Sequence, residues 1–235
     1  MMINGIKGLI DLPGEIPWEI ILAYYIIAPT LVFLIAKRRR ALKNFTTLDW
    51  VYIGIGAAAG VVWEFYLGAF IDRVEPKGIE YFIDPGFWGR MIILFVIAGV
   101  VRKTGVGMVS LTVFTFLSDL FHYGFGGEPL YFFYEALTYG LFIDAIIAFT
   151  GGKPFGISSK TYPKILAAIE GAIVGILWGI PDPIIYEAFY RPFIYGAVVD
   201  WQKVYFDLYT HLAFIWIAGL IGGLIAYRIE KAIQI

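Results

Sequence analysis

The 235-residue chain has no cysteine, only two histidines, and charge on only 16% of its residues. Without thiols there is no disulfide, thiolate nucleophile, iron–sulfur cluster or Cys-ligated zinc. Two histidines, His122 and His211, are too few for a histidine-rich metal site, and no cofactor is expected. The formal net charge of -1 excludes a general electrostatic attraction to nucleic acid. No G-x-S-x-G, H-E-x-x-H or P-loop occurs, so the usual intramembrane protease and ATPase chemistries lack their residues. The last apolar stretch has no lysine, which excludes a retinal Schiff base.

What fills the chain instead is apolar: 60% hydrophobic residues and a mean hydropathy of +0.76. Soluble domains carry about 25% charged and about 45–50% apolar residues. A soluble fold of this size leaves too much surface to hide that excess. The composition is that of an integral membrane protein.

A helical span needs roughly 20 mostly apolar residues. Such stretches run Pro17 to Ala36, Trp50 to Phe70, Phe87 to Val101, Val106 to Tyr123, Leu130 to Phe149, Pro163 to Ile180 and Phe206 to Tyr227. They predict an all-α polytopic protein with seven transmembrane helices. The first is too long, and too far from an initiator-adjacent basic region, for a cleaved signal peptide.

The connecting segments predict its orientation. Lys37, Arg38, Arg39, Arg40, Lys43, Arg102, Lys103, Lys153, Lys160, Lys164, Arg228 and Lys231 gather on one side, twelve bases with Asp49 and Glu230 as nearby acids. The other side sets Lys7, Arg73, Lys77, Arg191 and Lys203 against twelve acids, among them Glu75, Glu80, Asp84, Asp182, Glu187 and Asp207. The positive-inside rule then places the N-terminus outside and the C-terminus in the cytoplasm. The outer segments Ile71 to Gly86 and Pro181 to Tyr205 read as long loops, making the outside the expected working face.

A weak repeat runs through the spans. Gly56-Ala57-x-x-Gly60-x-x-Trp63 recurs as Gly171-Ala172-x-x-Gly175-x-x-Trp178, and Ile97-Ala98-Gly99 recurs as Ile217-Ala218-Gly219. Both pairs run in the same direction, as in parallel-repeat transporters; chance recurrence in Gly/Ala-rich helices is the plain alternative. Small residues at Gly54, Ala58 and Gly60 offer a face for close helix approach. It serves either packing within the bundle or docking of a partner membrane subunit.

Ionisable groups inside spans are costly and are functional candidates by default. At ~1.5 Å per residue, Glu64, Arg90, Asp119, His122, Glu135 and His211 fall at one outer depth on five spans. Asp144 and Glu170 lie deeper toward the basic side. Trp63, Tyr66, Trp88, Tyr123 and Trp178 crowd the same outer level. An interfacial aromatic belt accounts for part of that crowd. Carboxylates one or two turns below it predict an aromatic-walled cavity open outward, suited to a small cationic or heteroaromatic ligand. Arg90 should pair with Glu64, Asp119 or Glu135, because an unpaired buried charge is costly. Asp119 and His122 share a helix face at a spacing of three, which an orienting hydrogen bond explains better than a metal.

From Trp50 onward the chain resembles the substrate-binding S components of energy-coupling-factor (ECF) vitamin transporters, in particular their thiamine/hydroxymethylpyrimidine branch. The residues that carry the likeness are Gly54 to Gly60, Ile97-Ala98-Gly99-Val100-Val101-Arg102-Lys103-Thr104-Gly105, Tyr139-Gly140-Leu141-Phe142-Ile143-Asp144, and Ala218 to Tyr227. The resemblance implies a six-helix core over residues 41–235, with residues 1–40 forming an extra helix and its basic turn. It also implies an outward vitamin pocket capped by the loop Ile71 to Pro85, and a docking face of Gly54, Ala58 and Gly60 for a transmembrane coupling subunit driven by ATPase subunits. Thr138-Tyr139-Gly140 departs from the amide-rich stretch expected before the acid. The expected function is therefore vitamin binding in the cell membrane without chemistry of its own. A polytopic enzyme acting on a lipid or isoprenoid through intramembrane carboxylates is the alternative, and an assembly subunit a third reading.

Overall fold

The computed structural model describes residues 15–74, 76, 78, 79, 82–123 and 129–233, and all regular structure among them is helical. Six segments are long and apolar enough to cross a membrane: α1 (Trp18–Arg38), α2 (Thr47–Val74), α4 (Val106–Tyr123), α5 (Leu130–Phe149), α6 (Pro163–Tyr195) and α7 (Trp201–Ile233). Between α2 and α4 lies a shorter apolar helix, α3 (Pro85–Val101). The chain is a multi-pass membrane protein. Lys7, Glu75, Lys77 and Glu80 of the charge pattern lie outside the described residues, as does part of the segment Ile71 to Pro85.

Local chemistry sets several helix ends. Asp49 accepts from Thr46 N at 2.5 Å while Thr46 Oγ1 accepts from Asp49 N at 3.3 Å, a reciprocal cap on the first turn of α2. Asp84 accepts from Phe87 N at 2.8 Å and Pro85 takes the first position of α3, where a missing N–H costs nothing. α3 ends on Arg102, whose φ of 55° breaks the helix.

α7 packs along both α6 and α3, α2 packs on α3 and α4, and α1 lies against the second half of α5. The core between them is filled by Met91, Leu94, Phe95, Ile143, Phe155 and Trp178. In lipid such close packing, rather than the hydrophobic effect, holds helices together. The α6–α7 crossing depends on Gly171, Gly175, Gly219 and Gly223: a methyl at Gly171 would run into the Gly219 carbonyl and stand 3.0 Å from Gly223 Cα. Gly56 likewise gives room to Ile97 of α3. Each copy of the Gly-Ala-x-x-Gly-x-x-Trp helix thus rests on the helix carrying its Ile-Ala-Gly.

Two expectations need correction. Gly60 does not share the outward face of Gly54 and Ala58. A methyl at Gly60 would meet the Phe114 ring at 3.3 Å, whereas Gly54 has nothing within 4 Å and Ala58 is exposed. Residues two positions apart on a helix, such as Ala58 and Gly60, point about 200° apart, so the outward face of Gly54 and Ala58 does not include Gly60. Of the two expected long loops, Pro181 to Tyr205 is largely helical, since Asp182–Tyr190 and Arg191–Tyr195 extend α6 beyond a break at Gly179, while α2 continues to Val74 at the start of the other. Pro181 and Pro183 read as breakers but occupy the first turn after the break at Gly179, where proline is tolerated.

Candidate functional site

Four helices contain π-helical turns at the end of the bundle remote from the basic turns: Trp63–Gly68 in α2, Asp119–Tyr123 in α4, Ala136–Gly140 in α5 and Asp182–Tyr190 in α6. A π turn inserts one residue into the helical phase and is enriched at functional sites. The first of them has a visible cause. Trp63 Nε1 donates to Pro85 O at 2.8 Å, and Gly68 lies so close to Gly86 that no side chain fits between them. Pinning α2 to the start of α3 on both sides of the turn leaves Glu64 aimed at Arg90.

Arg90 is the hub. Its Nε lies 3.0 Å from Glu64 Oε2 and its Nη1 3.2 Å from Glu135 Oε1. The rings of Phe87, Phe114, Tyr139 and Trp178 stand 4.8 to 5.7 Å from the guanidinium carbon. Only 4% of its side chain is accessible. Two carboxylates and four ring faces thus replace the water a buried guanidinium needs.

Beside this hub is a cavity of about 220 Å³. Its charged lining is Glu64, Asp84, Glu135 and Asp182 against Arg90 and His211. Counting histidine as neutral by convention, the lining carries a formal charge of -3. Phe82, Phe87, Trp88, Tyr131 and Tyr139 supply its aromatic wall. Four buried polar atoms at this site have no hydrogen-bond partner among the described residues: Glu64 Oε2 and Arg90 Nε, which face each other as an ion pair at 3.0 Å, and Glu135 Oε2 and His211 Nδ1. Glu135 is 2% exposed, so water does not freely serve it. An unsatisfied buried acceptor costs about 1–3 kcal/mol and calls for an explanation. A bound donor supplies one.

The structure brings Glu64, Trp88, Arg90, Glu135 and His211 together around this cavity. Trp178 lies beneath it, fully buried, donating from Nε1 to Tyr139 O at 3.1 Å and standing 4.9 Å from the Tyr139 ring. Trp63 fastens α2 to α3 and does not line it. Asp119, His122, Tyr66 and Tyr123 do not line it either. In an unbroken α-helix His122 would continue the buried row of Ser110, Phe114 and Ser118; the π turn at Asp119–Tyr123 rotates it out, where it stacks 4.6 Å from the Phe65 ring. Tyr123 meets the edge of Phe65 at 5.6 Å. Tyr66 borders an apolar groove with Ala58, Val62 and Phe121. Arg90 pairs with two of its three expected partners and not with Asp119.

Asp84, Asp182, Phe82 and Phe87 were not among the residues singled out by sequence. Asp84 and Asp182 both precede a proline at a helix start, a signal that reads as a cap and says nothing of a cavity. Phe82, in the segment Ile71 to Pro85, lines the cavity and meets the Phe214 ring of α7 at 5.3 Å. Comparison with protein-family models, with curated proteins and with solved structures finds no match to this chain.

Proposed function

We propose that this chain is a substrate-binding subunit for uptake of a small cationic or protonatable heteroaromatic molecule, crossing the cell membrane seven times with its N-terminus outside. The observation that carries the reading is the cavity. It has a formal charge of -3, aromatic walls, and an unpartnered buried carboxylate oxygen on Glu135. Such a site favours a cation held by ring faces and carboxylates, and it penalises anions left beside unpaired charge. Its volume of about 220 Å³ suits a ligand of one or two rings.

The likeness of the chain to S components of ECF transporters makes thiamine or its hydroxymethylpyrimidine precursor the ligand of choice. On this reading the chain performs no chemistry. A transmembrane coupling subunit, docked on the outward face of Gly54 and Ala58, and separate ATPases supply the energy. All seven helices support the seven-span count: α3, with 17 residues, reaches about 25 Å at 1.5 Å per residue, close to the hydrocarbon thickness.

Calorimetry on the full chain in detergent tests it. Thiamine or the aminopyrimidine should bind, and at 100 times its Kd should stabilise the protein by about 2.7 kcal/mol. Glu64→Gln should weaken that binding by about 1.5–3 kcal/mol, the range for hydrogen bonds to charged groups. Tight binding of folate, pantothenate or biotin, or indifference of thiamine binding to Glu64→Gln, would refute the assignment.

A further inference from the structure

α1 stands outside the helices that wall the cavity, and much of its surface, including Ile20, Ile26, Ile27, Leu31 and Leu34, is exposed to lipid. An anchor of that kind needs only apolar contacts. Its lower half has them, with Val32 and Ala36 packed on Leu141 and Ala148 of α5. Its outer half, together with Ile16 just before it, makes polar ones instead. Ile16 N donates to Ala188 O at 3.0 Å, and Tyr25 OH meets Tyr190 OH at 3.0 Å. Tyr190 OH in turn donates to Leu130 O at 3.2 Å, which makes Tyr25 the donor of the pair.

Both contacts land on the π-helical segment Asp182–Tyr190. Nine residues is a long run for a geometry that ordinarily appears as a single turn. Such a run needs support from outside itself. From Tyr190 the contacts continue inward. Its ring lies 5.2 Å from that of Tyr134, and Tyr134 OH is 2.9 Å from the hydroxyl of Tyr139 in the cavity wall. Tyr134, Tyr139 and Tyr190 are each at most 2% exposed, so the chain of contacts has little room to relax.

We propose that α1 is a strut of the ligand cavity, and that Tyr25 is a positioning residue which, through Tyr190, sets the π-helical segment bearing Asp182 and the ring of Tyr139. This rests on the cavity being the ligand site, and the test keeps the two ideas apart. Hydrogen–deuterium exchange is measured on the full chain in detergent, without ligand, for the parent, Tyr25→Phe, Tyr190→Phe and the double variant. Thiamine affinity is measured on the same four proteins by calorimetry.

Tyr25→Phe keeps the ring and should speed exchange across residues 182–195 while leaving Thr47–Val62 unchanged. It should weaken thiamine roughly three- to tenfold, the scale of one interhelical hydrogen bond in a membrane protein. In the Tyr190→Phe background it should add little, since both act through one contact. Ile16→Pro, which deletes the N–H donated to Ala188, should loosen the same segment. Unchanged exchange at residues 182–195 in both Tyr25→Phe and Ile16→Pro overturns the strut, as does a uniform rise over every helix. Failure of the parent protein to bind thiamine sinks the ligand assignment alone, because the exchange result stands without it.

Discussion

Arg90 gives the strongest test of how this bundle is held. Replacing it with methionine keeps much of the side-chain volume and removes the one guanidinium that answers Glu64 at 3.0 Å and Glu135 at 3.2 Å. Both partners stay behind in a nearly dry site, with side-chain accessibilities of 20% and 2%. Breaking a buried pair from one side costs about 3–5 kcal/mol, because a charge is left uncompensated. Two stranded carboxylates put Arg90→Met at the upper end of that range. The lost contacts to four rings add to it, each cation–π contact contributing about 0.5–2 kcal/mol at most. At about 2–4 °C per kcal/mol for a chain of this length, melting should fall by roughly 10–20 °C.

The assay is a thermal melt in detergent, followed by tryptophan fluorescence. Its control is the triple replacement Arg90→Met, Glu64→Met, Glu135→Met, which removes all three charges together. Replacing a whole buried ionic cluster by hydrophobic residues of similar volume is commonly close to neutral, so the triple variant should regain more than half of the lost stability. A single variant melting within about 2 °C of the parent, or a triple variant less stable than the single, would show that Arg90 is not answering these carboxylates.

Two further predictions concern packing and capping. Gly219→Leu should destabilise the fold strongly, because any side chain there meets the Gly171 carbonyl and Gly175 Cα at 2.8 Å, while Gly54→Leu should leave the melt unchanged because nothing lies within 4 Å of it; equal melting of the two would refute the distinction. Asp144→Asn should lower stability by about 3 kcal/mol, since Asp144 accepts from Gly105 N at 2.7 Å, Gly107 N at 3.0 Å and Met108 N at 2.9 Å, and an amide can turn only one oxygen to these donors; an unshifted melting curve would contradict it.

Hydropathy placed the membrane helices well: Pro17 to Ala36 corresponds to Trp18–Arg38, and Leu130 to Phe149 recurs with the same ends. Depth was legible too, since Glu64, Arg90, Glu135 and His211 meet at one level. Azimuth was not. A residue's direction around its helix follows from counting at 3.6 per turn, and the π turns beginning at Trp63, Asp119 and Ala136 each shift that count inside the stretch that matters. The turn at Trp63 has a tertiary cause, the pinning of Trp63 and Gly68 against Pro85 and Gly86, which no local pattern announces. That is why Asp119 and His122 miss the cavity, while Asp182, hidden in a proline-rich stretch, reaches it.

The two ends of the bundle treat the same side chain differently, and on the proposed reading this difference separates structural carboxylates from those that meet a ligand. At the basic end every described carboxylate inside the helices is committed. Asp144 closes the first turn of α4, and Asp49 caps α2 while pairing with Lys103. Glu170 accepts from Gly156 N at 3.0 Å, and Glu230 pairs with Arg102 at 3.0 Å. These contacts tie the starts and ends of α2, α3, α4 and α7 into one closed layer. At the opposite end Glu135 gives one oxygen to Arg90 and leaves the other, fully buried, without a donor, and His211 Nδ1 is likewise buried without a hydrogen-bond partner among the described residues. Leaving buried acceptors open costs stability, and a bundle able to cap Asp144 with three backbone N–H groups has the means to close them. On the proposed reading, the open oxygen of Glu135 is the acceptor that the donor of a cationic ligand would meet.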